Sequence, residues 1–205
     1  EIPGKREYVQ LGITEKEWGS YAEYDYDNRA TGKLTDPDPI LESIIGQIDR
    51  EISAETLAEI IEVRKARFKK ALTVIRKPIL DTIAELDRRE KKLVLVSNAD
   101  AFDKLYWKES PLFPFFGESV FSCDVGCMKP REEIYRIAIE RVGADISRSV
   151  FIGDGGHDEL YGAKRVGLDT VLTTEIIGEL WPDAIGRLAC NADFVVESLS
   201  ALLSW

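Results

Sequence analysis

The sequence predicts an α/β protein in which residues 78–205 form a parallel sheet with helices on both faces and residues 1–77 form a separate, all-helical domain. Three observations carry this. Short apolar runs without alternation recur in the second half, as in Leu93-Val94-Leu95-Val96 and Val150-Phe151-Ile152, and helical-period segments separate them. The first half has helical periodicity but no such run. Polar, glycine-containing stretches follow directly on the strand ends, where an open α/β sheet places its ligands.

In the first half, Thr14-Glu15-Lys16-Glu17 has the form of a capping box, with Trp18, Tyr21 and Tyr24 following on one helical face. Thr35-Asp36-Pro37-Asp38-Pro39 reads as a turn or loop, because each proline lacks a donor and restricts its predecessor. Ile40 through Ile48 reads as a helix. Ser53 caps a longer one, in which Leu57, Ile61, Phe68 and Leu72 form one stripe. Arg64, Lys65, Arg67 and Lys69 are read there as a solvated face. Trp18, Tyr21, Tyr24 and Tyr26 are read as packing, with a pocket that stacks on an organic group as the alternative.

In the second half, a helix from Pro78 to about Arg89 carries Ile79, Ile83 and Leu86 on one side. Strand 93–96 ends in Ser97-Asn98, ahead of a helix capped by Asp100. A second strand near Val120-Phe121-Ser122-Cys123 leads to Lys129-Pro130, with Pro130 expected at the first helical position and Ile134, Ala138 and Val142 facing inward. Strand 150–152 runs into Gly153-Asp154, and a helix from about Glu159 ends near Gly167. Strands at 170–172 and 194–196 complete the sheet. No repeat or low-complexity tract interrupts the 205 residues.

Composition removes several function classes. Lys and Arg number 27 against 37 Asp and Glu, a net charge of −10, which argues against nucleic acid or an anionic membrane as the main partner. No apolar run approaches the roughly 20 residues of a membrane span, so a soluble, cytoplasmic protein is expected. The single histidine, His157, excludes two-imidazole metal sites within one chain. Cys123, Cys127 and Cys190 lack CxxC spacing and read as small apolar residues. Trp107, Trp181 and Trp205 give no interface pattern, so a monomer and a homodimer both remain open.

Three polar signatures lie at strand ends. The Ser97 hydroxyl and the Asn98 backbone, before a helix start, suit a phosphate oxygen, although Ser97 taken alone reads better as the start of a turn. Lys129, held extended by Pro130, is a cation beside a positive helix end, which calls for an anionic ligand or carboxylate nearby. Taken alone it reads better as a solvent-exposed lysine before a helix. In Gly153-Asp154-Gly155-Gly156-His157-Asp158-Glu159, three carboxylates crowd after a buried strand and repel one another unless a cation neutralises them. Hard oxygen ligands favour Mg²⁺ over zinc. The plainer alternative is an acidic turn with Glu159 as a helix N-terminal charge.

Taken in order, these pieces resemble the haloacid dehalogenase-like hydrolase superfamily. Val94-Leu95-Val96-Ser97-Asn98 is similar to its second motif, Lys129-Pro130 to its third, and Gly153-Asp154 with Asp158 or Glu159 to its fourth. The resemblance implies a Rossmann-like core over 78–205 and a helical cap over 1–77. It also implies a Mg²⁺-dependent phosphatase acting on a small phosphorylated metabolite through an aspartyl-phosphate. Ser97 and Asn98 would hold the phosphoryl group, and Lys129 would pair with the nucleophile and the transferring group. Asp154 would ligate the metal, with Glu159 preferred to Asp158 as metal or supporting partner, and His157 would be a loop residue beside the site.

The family's first motif, a buried strand ending Asp-x-Asp, has no match before Ser97. Asp25-Tyr26-Asp27 has the spacing, but its flanks are not a buried strand. In the family that strand lies between those ending at Ser97 and Asp154. The nucleophile is therefore expected on a piece upstream of Glu1, without which the 205 residues would be inactive. A 2-haloacid dehalogenase and a catalytically silent module binding a phosphorylated ligand or a protein are the alternatives.

Overall fold

Five short strands form two parallel sheets in the computed structural model, which describes residues 6–205. Strands β1 (Val94–Ser97) and β2 (Glu118–Phe121) pair in one sheet, with Val96 opposite Val120. Strands β3 (Val150–Gly153), β4 (Asp169–Thr173) and β5 (Phe194–Val196) form the other, in that order. All five fall where the apolar runs predict them. The sheet is divided between β1 and β3, which do not pair. Both strands are only partly buried, and Val150 is 44% exposed, whereas central strands of a parallel sheet are covered on both faces.

Helices precede the first strand. They are α1 (Glu7–Leu11), α2 (Glu15–Glu23), α3 (Tyr26–Ala30), α4 (Pro37–Ile45), α5 (Ala54–Thr73) and α6 (Lys77–Arg88). The capping box at Thr14 forms as expected: Glu17 N donates to the Thr14 hydroxyl, and Thr14 N donates to the Glu17 carboxylate. Ser53 accepts from Thr56 N and starts α5. Leu11, Trp18, Ile40, Leu41, Ile44, Ile60 and Ile61 build the core of this half, and Phe102 enters it from the far side of β1. Trp18 is packing, as read, while Tyr24 is exposed.

The basic run on α5 is not a solvated face throughout. Arg64 and Arg67 turn inward and clamp Glu7, which is 1% exposed; Arg64 Nη1 lies 2.8 Å from Glu7 Oε1 and Arg67 Nη1 2.6 Å from Oε2. Burial raises the Glu7 pKa, but the two guanidiniums outweigh it and hold the carboxyl below its ordinary range. The sequence hides this pairing because its partners lie more than fifty residues apart. Lys65 and Lys69 stay nearer the surface, paired with Asp38 and Glu109.

After β1 come α7 (Ala101–Lys104) and, past β2, α8 (Ser122–Val125), α9 (Glu132–Arg141) and α10 (Glu159–Arg165). Pro130 does not occupy the first turn of α9. The Lys129–Pro130 peptide is cis, Arg131 N donates to Met128 O at 2.9 Å, and the helix begins at Glu132. Ile134, Tyr135 and Ala138 face the core with Val120, Ala163 and Val166, and Val142 caps α9. Cys127 joins this core, whereas Cys190 is exposed.

One short helix ties the two halves together. Arg29 of α3 is buried; it donates to Tyr24 O and Ala22 O, and its Nε lies 3.5 Å from Asp100 Oδ2, an ion-pair distance without a hydrogen bond. Asp100 caps α7 in a second capping box, accepting from Phe102 N while Asp103 accepts from Asp100 N. Gly32, at φ +82°, presses on the Cys123 carbonyl of α8, and a Cβ there would lie 2.1 Å from the oxygen.

Burial and the adjacent Asp100 carboxylate push the Asp103 pKa up to about 6. A carboxyl raised on folding costs stability once ionised, and the cost is full above the folded pKa and fades as pH falls toward the unfolded value. Asp103→Asn keeps the acceptor for Asp100 N. It is expected to stabilise the protein by on the order of 2 kcal/mol near pH 8, with the gain shrinking below about pH 6 and nearly gone near pH 4. Urea unfolding of both proteins across that range reads the difference.

Candidate active site

The carboxyl ends of β1 and β3 deliver the predicted residues to either side of the division between the sheets. Ser97 is the last residue of β1, and Asp154 follows the last residue of β3. Lys129 reaches into the division from the loop before α9. Its Nζ donates to Val96 O at 3.2 Å and lies 2.5 Å from Glu159 Oε2. Leu93 O accepts from Gly117 N beside β2, and carbonyls alternate along a strand, so the Val96 carbonyl points to the unpaired edge of β1. The ammonium thus occupies a hydrogen-bonding position on that edge. It also lies 5.7 Å from the Phe151 ring centroid of β3.

Glu159 is buried and fully engaged. Its Oε2 faces Lys129, its Oε1 accepts from Gly155 N at 3.0 Å, and its backbone carbonyl accepts from the Tyr135 hydroxyl at 2.7 Å. Two glycines make room for this. A Cβ on Gly153 would lie 2.0 Å from Glu159 Oε1, and one on Gly162 would lie 2.4 Å from Pro130 O. The α10 start therefore seats directly against the Lys129-Pro130 turn.

The loop after β1 is bonded at successive residues. The Asn98 carboxamide grips the Lys129 backbone from both sides: Lys129 N donates to Oδ1 at 2.7 Å, and Nδ2 donates to Lys129 O at 3.0 Å. Ala99 N donates to the buried Ser122 hydroxyl at 2.9 Å. The Ser97 hydroxyl has only a long contact, 3.4 Å, to Asn98 O. A hydroxyl with so weak an internal partner is suited to donate to a ligand oxygen.

Asp154 and Asp158 stand exposed in the turn between β3 and α10, and Asp154 Oδ1 accepts from Gly156 N at 2.9 Å. Gly155, His157 and Asp158 all have positive φ; for the two non-glycine residues this is a sparsely populated conformation. His157 is exposed in this loop, as expected, and stacks on Tyr26 of α3 with ring centroids 6.4 Å apart. Burial, with Asp103 and Asp100 nearby, pushes the Tyr26 phenol up to about 12.

The structure therefore brings Asn98, Lys129 and Glu159 into one bonded chain, with Ser97 at the adjoining strand end and Asp154 and Asp158 across the turn. It does not gather Asp154, Asp158 and Glu159 into a carboxylate cage; among the described residues no group of three or more His, Cys, Asp or Glu side chains could hold a metal. Sequence reasoning missed Ser122, Arg29 and Tyr135, whose partners are distant in the chain. The glycine at 153, directly after an apolar run, is the one local signal of a close approach.

Gly153→Ala tests the central pair. The methyl group forces the Glu159 carboxylate aside and leaves the Lys129 ammonium without it. A loss of about 3–5 kcal/mol in urea unfolding is expected, as for other broken buried pairs. An unchanged midpoint would show that the pair contributes nothing.

Comparison with known proteins identifies the family. Residues 6–167 match the haloacid dehalogenase-like hydrolase family. A glyceraldehyde 3-phosphate phosphatase of Methanothermobacter thermautotrophicus is 26% identical over 124 residues, 59% of this chain and 54% of the relative. The pyrophosphatase PpaX of Bacillus pumilus is 31% identical over 127 residues, 62% of this chain and 56% of the relative. The chain thus spans little more than half the length of these curated relatives. The magnesium-bound crystal structure of the HAD-hydrolase YfnB from Bacillus subtilis superposes with a TM-score of 0.65 at 18% identity, covering 97% of this chain and 86% of that one. With the family match spanning most of the described residues, the chain belongs to the haloacid dehalogenase-like hydrolases.

Proposed function

We propose that this chain forms the helical cap and most of the core of a Mg²⁺-dependent phosphatase for a small phosphorylated metabolite, working in the cytoplasm. The observation that supports it most is the Lys129 ammonium on the unpaired edge of β1, between the strand ends carrying Ser97 and Asp154. An anion entering there meets a cation and a hydroxyl in a protein whose net charge is −10. The phosphatase relatives point the same way.

In this reading the nucleophilic aspartate lies on a strand outside these 205 residues that pairs between β1 and β3, and the 205 residues alone do not turn over. The carboxylate attacks phosphorus in line as the P–O bond to the leaving alcohol breaks, and the acid two residues on protonates that alcohol. The same group then takes a proton from the water that hydrolyses the aspartyl-phosphate to free phosphate. Ser97 Oγ donates to a phosphoryl oxygen. Lys129 neutralises charge on the nucleophile and the phosphoryl group, while Glu159 keeps the ammonium at that position. Asp154 fits a Mg²⁺ ligand, because it is exposed at a strand end and Mg²⁺ needs only one or two carboxylates besides water and phosphate. When bound, the ion offsets charge on phosphate and carboxylate. Asp158 is the second candidate, and Glu159, held by Lys129, serves the cation of the protein itself.

The test is phosphate release from a generic aryl phosphate by the protein carrying the intervening strand, with and without magnesium. Magnesium-dependent turnover is expected, falling at least about 100-fold in Asp154→Asn. Turnover unchanged in Asp154→Asn would remove the metal role. Metal-independent release of halide from a 2-haloacid would identify a dehalogenase, and binding of a phosphorylated ligand without turnover would identify a silent module.

A further inference from the structure

We infer that the Asn98 side chain is a positioning group that acts through Lys129, rather than one that itself contacts the phosphoryl oxygen. This rests on the phosphatase reading above and deepens it. A carboxamide offers one acceptor and one donor group, and both are used on a single residue: Oδ1 accepts from Lys129 N at 2.7 Å and Nδ2 donates to Lys129 O at 3.0 Å. This is the pairing a neighbouring strand would make, supplied by a side chain. It falls at the Lys129–Pro130 peptide, whose proline nitrogen has no hydrogen to donate.

The clamp joins two loops that have separate chemical tasks. Asn98 is the immediate neighbour of Ser97, so the strand end that presents the hydroxyl is bonded to the backbone of the residue that presents the ammonium. From the other side Lys129 Nζ returns to Val96 O. Val96 and Asn98 thus hold Lys129 at its side-chain tip and its backbone within these 205 residues. With a further strand paired on that edge the Val96 carbonyl passes to the strand, and the Asn98 clamp on the main chain is the part that persists. Glu159 sets the direction of the ammonium, and Asn98 sets where its main chain stands. Both polar atoms of the Asn98 carboxamide are thus engaged by Lys129.

Two measurements test the assignment. The first is independent of turnover: amide hydrogen exchange at Lys129 in the 205-residue protein. Asn98→Ala is expected to accelerate exchange of the Lys129 amide by at least about 10-fold while amides in β4 keep their protection. Unchanged protection at Lys129 would overturn the clamp. The second is a double-mutant cycle on aryl phosphate hydrolysis in the protein carrying the intervening strand. Asn98→Ala is expected to lower kcat about 10- to 100-fold with little change in KM, and to cost almost nothing further when Lys129 is already alanine. A full additional loss in the Lys129→Ala background would show that Asn98 acts on its own and would overturn the inference. Absence of turnover in the unsubstituted protein would instead refute the phosphatase reading and leave the exchange result standing.

Discussion

The buried pair between Lys129 and Glu159 is the interaction on which the rest of the site is arranged. An ammonium and a carboxylate removed from water require each other, since either alone would carry a desolvation cost of several kcal/mol. Their contact crosses the division between the sheets, because Lys129 comes from the loop after β2 and Glu159 begins the helix after β3. Two glycines and the Tyr135 hydroxyl make this contact sterically possible. The pair therefore links the segment that follows β2 to the helix that follows β3 across that division.

Helix α3 gives the helical half a comparable hold on the strand ends. Within seven residues, α3 supplies Tyr26 to the loop after β3 and Arg29 to the loop after β1, and Gly32 just past its end meets the segment after β2. Each contact is of a different kind, a stacked ring, a buried ion pair and a backbone approach. The segments that follow the strands ending at Ser97 and Gly153, and α8 ahead of Lys129, are consequently touched by one stretch of the other half, which couples the packing of the helices to the geometry of the site.

Much of this was legible in the sequence because it depends on local pattern. The strands ending at Ser97 and Gly153, the caps at Thr14, Ser53 and Asp100, and the polar groups following each strand are set by apolar runs and by residues three or four apart. The contacts that escaped are those whose partners are brought together only by folding. Arg64 and Arg67 look like surface charges until Glu7 is placed between them, and Asn98 reads only as backbone beside a phosphate oxygen until Lys129 arrives thirty-one residues later. Pro130 misled for another reason. A proline before a helical stretch fits the first turn, but here the turn closes at Arg131 and the helix waits until Glu132.

The Arg29–Asp100 contact bears on how such proteins diversify. A helical half that could be exchanged freely between relatives would let one chemical core serve many ligands. Here the exchange is constrained, since Asp100 caps α7 and is buried, so its carboxylate depends on a cation donated by the helical half. A transplanted half lacking an arginine at that point would leave a charge without a counterion two residues from Asn98. Recombination of the two halves must therefore preserve this pair or replace both members together, and the boundary between them is a shared inheritance as much as a seam.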